Sequence, residues 1–311
     1  MPQKNKLKII VIIISILILI AALLVSDCME PKNAATAEEN NTDDDTDNAP
    51  LFVLLPPNST APNSVKDYDS AESHNTLGVS LYHAGKYEES EKEYRKAIEL
   101  NPNFAEAHFN LGELLKDLAR YDEAEVEYKT AIELKQNYSD AYFNLGVVYE
   151  YNATGTQHGS GFRLNDSINA YKKSIELNPN YEQAHYNLAI LYEHNKSGVR
   201  YGYGFDRENA IYEHTQAIEL DPDHADAHNS LGVLFFKYAN YGDAQKEFKK
   251  AVNITPGEPL YHYNLGVLYY STGGFMQAKE ELVTAIGLYE EQGDYEGVNM
   301  SKDVLGYFNY Y

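Results

Sequence analysis

Apolar residues along this chain fall at helical spacing rather than in alternation, and the pattern itself comes back. The stretch "HNTLGVSLYHAGKYEESEKEYRKAIEL" (His74–Leu100) returns as "HFNLGELLKDLARYDEAEVEYKTAIEL" (His108–Leu134) and again as "HNSLGVLFFKYANYGDAQKEFKKAVNI" (His228–Ile254). With the Leu-Gly pair set as positions 7 and 8, six units run in tandem: 71–104, 105–138, 139–181, 182–224, 225–258 and 259–292. Four have 34 residues and two have 43. Each predicts two helices joined by a turn. A period of this length predicts stacked supersecondary units, because one helix pair cannot bury its apolar face alone whereas several together can.

Each recurring position has a physical reading. Position 8 is Gly78, Gly112, Gly146, Ala189, Gly232 and Gly266, small enough to let two helices approach closely. Position 20 (Ser90, Ala124, Ser167, Ala210, Ala244, Ala278) is the small residue facing it on the second helix. Position 27 (Ala97, Ala131, Ser174, Ala217, Ala251, Ala285) is placed to meet the next unit. Leucine fills position 7, and Tyr94, Tyr128, Tyr171 and Phe248 fill position 24. Pro102, Pro179, Pro222 and Pro256 at position 32 stop the second helix and set the turn, with Gln136 in that place in the second unit.

These residues resemble the tetratricopeptide repeat, whose consensus reads NLGxxY, then Y/F-x-x-A, then Y/F-x-x-A-I-x-L-x-P. Position 4, usually Trp in that family, is here His74, His108, Tyr142, His185, His228 and His262. The resemblance implies an all-α, right-handed superhelical solenoid of helix-turn-helix pairs whose first helices line a concave face. Residues 293–311 then supply a capping helix and tail, with Tyr295, Val298, Ser301, Leu305 and Phe308 on one helical face.

The resemblance also implies where a partner binds, namely at positions 2, 5, 9, 12 and 13 of the first helix. Carried over residue by residue, the partner-binding candidates are Glu106, Phe109, Glu113, Asp140, Phe143, Tyr186, Asp226, Asn229, Phe236, Tyr263 and Tyr270. No unit has the Lys at position 5 with Asn at position 9 that chaperone-binding members use to clamp a C-terminal carboxylate. The expected groove has an aromatic and aliphatic floor and acidic edges. It suits an unknown protein presenting an extended segment with apolar anchors and basic flanks.

Charge narrows the partners further. A net charge of −22 opposes nucleic-acid phosphates. No metal-protease helix motif, phosphate-cradling glycine loop or nucleophile elbow occurs, so neither an enzyme nor a cofactor is expected. His224 and His228 stand four apart, as metal ligands on a helix do. But a packed histidine with a satisfied N–H explains His228 together with the other four at position 4.

The N-terminus adds an expected location. Lys4, Lys6 and Lys8 precede an uncharged run from Ile9 to Ser26, which predicts a membrane anchor at 1–26 with the repeats on the outer face. Cys28, in "LLVSDC", offers lipidation as an alternative tether. Residues 27–70 read as an acidic linker, interrupted by the apolar "LFVLL" at Leu51–Leu55. Eight N-x-S/T sequons, at Asn40, Asn58, Asn137, Asn152, Asn165, Asn195, Asn253 and Asn299, fit a glycosylated exterior protein. The alternatives are a self-associating structural component of the envelope, a homo-oligomer, or a glycan- or polymer-binding surface protein. The last would use tyrosines beside the extra loops at 151–162 and 195–205.

Overall fold

The computed structural model describes residues 69–151, 162–194 and 199–306. Among them lie thirteen helices, in an order that pairs them unit by unit. The first unit is α1 (Ala71–His83) and α2 (Tyr87–Leu100), followed by α3 (Ala105–Asp117) and α4 (Tyr121–Leu134). The two long units are α5 (Ser139–Glu150) with α6 (Leu164–Leu177), and α7 (Glu182–Tyr192) with α8 (Arg207–Leu220). The last two are α9 (Ala225–Lys237) with α10 (Tyr241–Ile254), and α11 (Pro259–Ser271) with α12 (Phe275–Gln292). Helix α13 (Tyr295–Gly306) packs on α12 and α11. Contacts run between consecutive helices, with thinner ones from one first helix to the next, so the architecture is an all-α solenoid.

The repeating core joint is a glycine against a ring. A Cβ on Gly78 would stand 2.6 Å from Tyr94, on Gly112 2.8 Å from Tyr128, on Gly146 2.7 Å from Tyr171, and on Gly232 2.6 Å from Phe248. Those rings are buried, and only a bare backbone lets them lie flat against the first helix. The fourth unit, with Ala189 at this place, is the one whose position 24 is a histidine, His214. Position 20 adds polar closure: Ser90 Oγ donates to the Gly78 carbonyl at 2.7 Å, and Ser167 Oγ to the Gly146 carbonyl at 2.8 Å.

The ends depart from the pattern for local reasons. The sixth unit has Glu290 where proline stands in four others, and α12 accordingly runs for 18 residues until Gly293, in the left-handed region at φ 71°, ends it. On α13, Val298, Ser301 and Val304 are buried and Leu305 is half-buried. Tyr295, expected on that face, instead stands 75% exposed at the first turn.

Among the described residues no helix is long and apolar enough to cross a membrane. The anchor expected at 1–26, Cys28, the linker up to residue 68, most of the loop at 151–162, four residues of the loop at 195–205, and Phe308 lie outside the described residues.

Candidate functional site

The face made by the first helices carries a row of stacked rings where three aromatic position-5 residues follow one another. Phe109 on α3 stacks on Tyr138 with centroids 4.9 Å apart, and Phe143 on α5 stacks on Tyr181 at 4.7 Å. Tyr186 on α7 lies 4.5 Å from His224. Each ring also leans on position 24 of its own unit: Phe109 on Tyr128 at 5.8 Å, Phe143 on Tyr171 at 5.5 Å and Tyr186 on His214 at 5.7 Å. All three position-5 rings are half-buried.

The stacking partners Tyr138, Tyr181 and His224 are the residues just before α5, α7 and α9. That is the N-cap place, where Ser, Thr, Asp or Asn would satisfy a free backbone N–H. Tyr138 and Tyr181 make no side-chain cap bond. The sequence thus gives up a cap, worth about 1 kcal/mol, to set a ring on this face. His224 manages both, accepting from the Ala227 N–H at 3.3 Å and reaching Glu182 at 3.0 Å.

Carboxylates surround the rings. Glu106 pairs with Lys135 at 3.2 Å, and Lys135 in turn lies 4.1 Å over the Tyr138 ring. Asp226 accepts from the Tyr261 hydroxyl at 2.5 Å. Glu113 and Asp140 have no ion-pair partner among the described residues. Burial raises the Glu113 carboxyl above the usual range; Lys116 opposes the rise, while Asp117 and Asp140 add to it. Burial, then Asp140 and Glu113, push the Tyr181 hydroxyl up to about 12. Burial, then Glu106, Asp140 and Glu113, raise Tyr138 as well. Two carboxylates therefore act on the same pair of tyrosine rings, at the joint between the second and third units.

Four other sequence candidates sit elsewhere. Asn229 is buried, and its Oδ1 accepts from Asn264 at 2.8 Å, so it bridges neighbouring first helices rather than facing outward. Tyr263 and Tyr270 are each only 8% exposed, in a cluster completed by α12 and α13. Phe236 is half-buried between that cluster and the one around Phe248. A capping helix covers whatever the preceding first helix presents, which a reading by position alone does not anticipate.

The position-12 residues of the long units, Glu150 and Glu193, are core, although the resemblance sets that position at the groove. Glu150 is buried and accepts from the Tyr171 hydroxyl, which itself accepts from Asn187 at 3.1 Å. Glu193 is fully buried, with Arg200 Nε at 2.7 Å and His214 Nε2 at 3.0 Å. Burial is the largest single influence on the Glu193 carboxyl and pushes it up, yet Arg200 and His214 together hold it down at about 2. The signal was present in the sequence: a carboxylate at position 12 accompanies a polar tip at position 24.

Comparison with known proteins bears on the fold. A family model described as TPR repeat matches residues 78–118, 116–152 and 163–196. No curated protein matches the chain. Among solved structures, that of pilF from Pseudomonas aeruginosa is similar at 15% identity, over 74% of this chain and 96% of that one, with a TM-score of 0.59. The Cut9 and Hcn1 hetero-tetramer of the APC/C is similar at 16% identity, over 76% of this chain and 44% of that one, with a TM-score of 0.55. MamA shares 23% identity, over 57% of this chain and 94% of that one, with a TM-score of 0.48.

Proposed function

The chain belongs to the tetratricopeptide repeat family, and from that premise we propose that it is a protein-interaction scaffold whose first-helix face takes an extended segment. The segment offers apolar side chains to the edges of Phe109, Phe143 and Tyr186. It offers a Lys or Arg to Glu113 and Asp140. The observation that carries this reading is the pair of carboxylates, free of ion-pair partners among the described residues, beside the stacked rings of Tyr138 and Tyr181. A cation above a tyrosine face and next to a carboxylate gains from both, and more so when partly desolvated. The net charge of −22 adds long-range attraction for a basic segment.

In this reading the scaffold is held at a membrane with its repeats on the outer side, by the run Ile9–Ser26 behind Lys4, Lys6 and Lys8 or by a lipid on Cys28. The test is to pan a random-sequence peptide library on the full-length chain. Enrichment of Lys or Arg next to apolar residues is expected. It should be lost in Glu113→Gln/Asp140→Asn and in Phe109→Ala/Phe143→Ala/Tyr186→Ala, each with helicity retained. Enrichment of acidic peptides, or binding that both variants leave intact, overturns the assignment.

A further inference from the structure

Five of the six units carry a histidine at position 4, and in each of them both ring nitrogens meet an acceptor. His108 has Nδ1 2.6 Å from Glu127 and Nε2 3.2 Å from the Pro102 carbonyl. His185 has Glu213 at 2.6 Å and the Pro179 carbonyl at 3.1 Å. His228 has Glu247 at 2.6 Å and the Pro222 carbonyl at 3.1 Å. His262 has Glu281 at 2.7 Å and the Pro256 carbonyl at 3.0 Å. His74, with no unit before it, has Glu93 at 2.5 Å and Asp69 at 3.0 Å.

A carboxylate and a peptide carbonyl only accept, and a neutral imidazole has a single N–H to give. Both contacts are satisfied together only when the site holds one more proton than neutral histidine and ionised glutamate do. A protonated glutamate facing a neutral ring stores that same proton. The third unit supplies an internal contrast: it has Tyr142 in place of the histidine and Ala170 in place of the glutamate. It also follows the one junction whose position 32 is Gln136 rather than proline.

We propose that His108, His185 and His262 are held as imidazolium ions that tie each unit to the turn leaving the unit before it, so that the solenoid loosens at these junctions as the medium turns alkaline.

The electrostatic surroundings agree with the geometry. His74 is raised above the ordinary histidine value by its bond to Glu93 and then by Asp69. His262 is raised by its bond to Glu281, with burial opposing and the Pro256 carbonyl helping. For His108 and His185 burial is the largest influence and acts downward. Glu127 with the Pro102 carbonyl, and Glu213 with the Pro179 carbonyl and Glu182, outweigh it. Glu247 is shared between His228 and two cations, Lys246 at 3.5 Å and Lys250 at 3.6 Å, and His74 has no junction before it, so the proposal is confined to His108, His185 and His262. A histidine raised in the folded state stabilises fully below its ordinary value of about 6.5. That contribution is lost as the pH rises through the folded value. Ordinary carboxylates are already ionised over this range and tyrosines are not, so histidines dominate the change. His224, pushed down by burial but raised on balance through Glu182, adds to it equally whether or not the glutamates facing His108, His185 and His262 are substituted.

Two measurements on the full-length chain test this. Nitrogen-15 spectra of the imidazoles at pH 7.5 should show His108, His185 and His262 with both nitrogens protonated. Neutral rings, whether the facing glutamates are ionised or protonated, overturn the proposal. The second measurement is thermal unfolding between pH 6.5 and pH 9, where the wild type should lose about 5–10 °C. A variant with Glu127→Gln, Glu213→Gln and Glu281→Gln should lose less, since glutamine can donate an N–H to a neutral ring, while His74 and His224 keep their carboxylates. Equal losses in the two proteins overturn the proposal. If the triple variant does not fold, the spectra decide alone.

Discussion

Replacing Gly112 by alanine sets two known effects against each other. In an open helix the change is favourable by about 1 kcal/mol, because alanine restricts the unfolded chain and glycine does not. At Gly112 the new methyl would stand 2.8 and 2.9 Å from two carbons of the Tyr128 ring. Ordinary carbon contacts are about 3.5–4.0 Å, so the ring must retreat by roughly 0.7 Å or more. Tyr128 is fully buried in a cluster with Leu111, Leu114 and Leu115, so its retreat presses on those side chains. Overpacking of this kind costs about 1–3 kcal/mol. With the upper part of that range applying to a rigid ring, Gly112→Ala should destabilise by about 1–2 kcal/mol net. Gly287→Ala is the control. Gly287 is inside α12 and exposed, and a Cβ there meets nothing within 4 Å, so it should stabilise by up to about 1 kcal/mol. Urea titrations followed by helical circular dichroism read both, as midpoints moving in opposite directions at unchanged slope. A midpoint for Gly112→Ala that rises as far as that of Gly287→Ala would refute the account of the core joint.

The buried charges and the ring face give further expectations. Arg200→Ala strands the Glu193 carboxylate and should cost about 3–5 kcal/mol. Because Arg200 helps hold that carboxyl down at about 2, its loss lets Glu193 take up a proton in the folded state. The gap between variant and wild type should therefore narrow as pH falls, and a gap independent of pH would contradict the pairing. Alkaline difference absorbance should find the Tyr181 hydroxyl titrating near 12, and Asp140→Asn should lower it while leaving the larger effect of burial in place. Peptides selected on the ring face should bind more weakly as salt rises, since charge assists their capture; insensitivity to salt would leave the apolar contacts alone responsible.

The period, the two helices per unit and the small residues at positions 8 and 20 were legible because each repeats, and repetition separates a packing requirement from chance. The position-4 histidines were legible as packed residues with a satisfied N–H. Their partner was legible too, since Glu93, Glu127, Glu213, Glu247 and Glu281 share position 23 and Ala170 breaks the series only where Tyr142 does. That pairing lies across two helices, and reading one helix at a time misses it. Burial of Asn229, Tyr263 and Tyr270 was not legible, because it is decided by neighbouring helices rather than by the unit that carries them. The stacked partners Tyr138 and Tyr181 also escaped notice. They stand at the last position of a unit, outside the first-helix positions on which the family comparison concentrates.

The two long units share more than their length. Phe162 and Phe205 close their extra segments at the same register, and Glu150 and Glu193 occupy the same place before them. The residue opposite the glutamate differs between them: Tyr171 in one unit, His214 in the other. The first sets a hydroxyl against the acid. The second sets a histidine there and adds Arg200 from its own insertion, so a buried ionic lock stands where the other unit has a hydrogen bond. The spacer residue differs with it, Gly146 against Ala189. Spacer, position-24 side chain and insertion therefore work as one joint, and a histidine grafted alone at position 171 would face Glu150 without the Arg200 that its counterpart has.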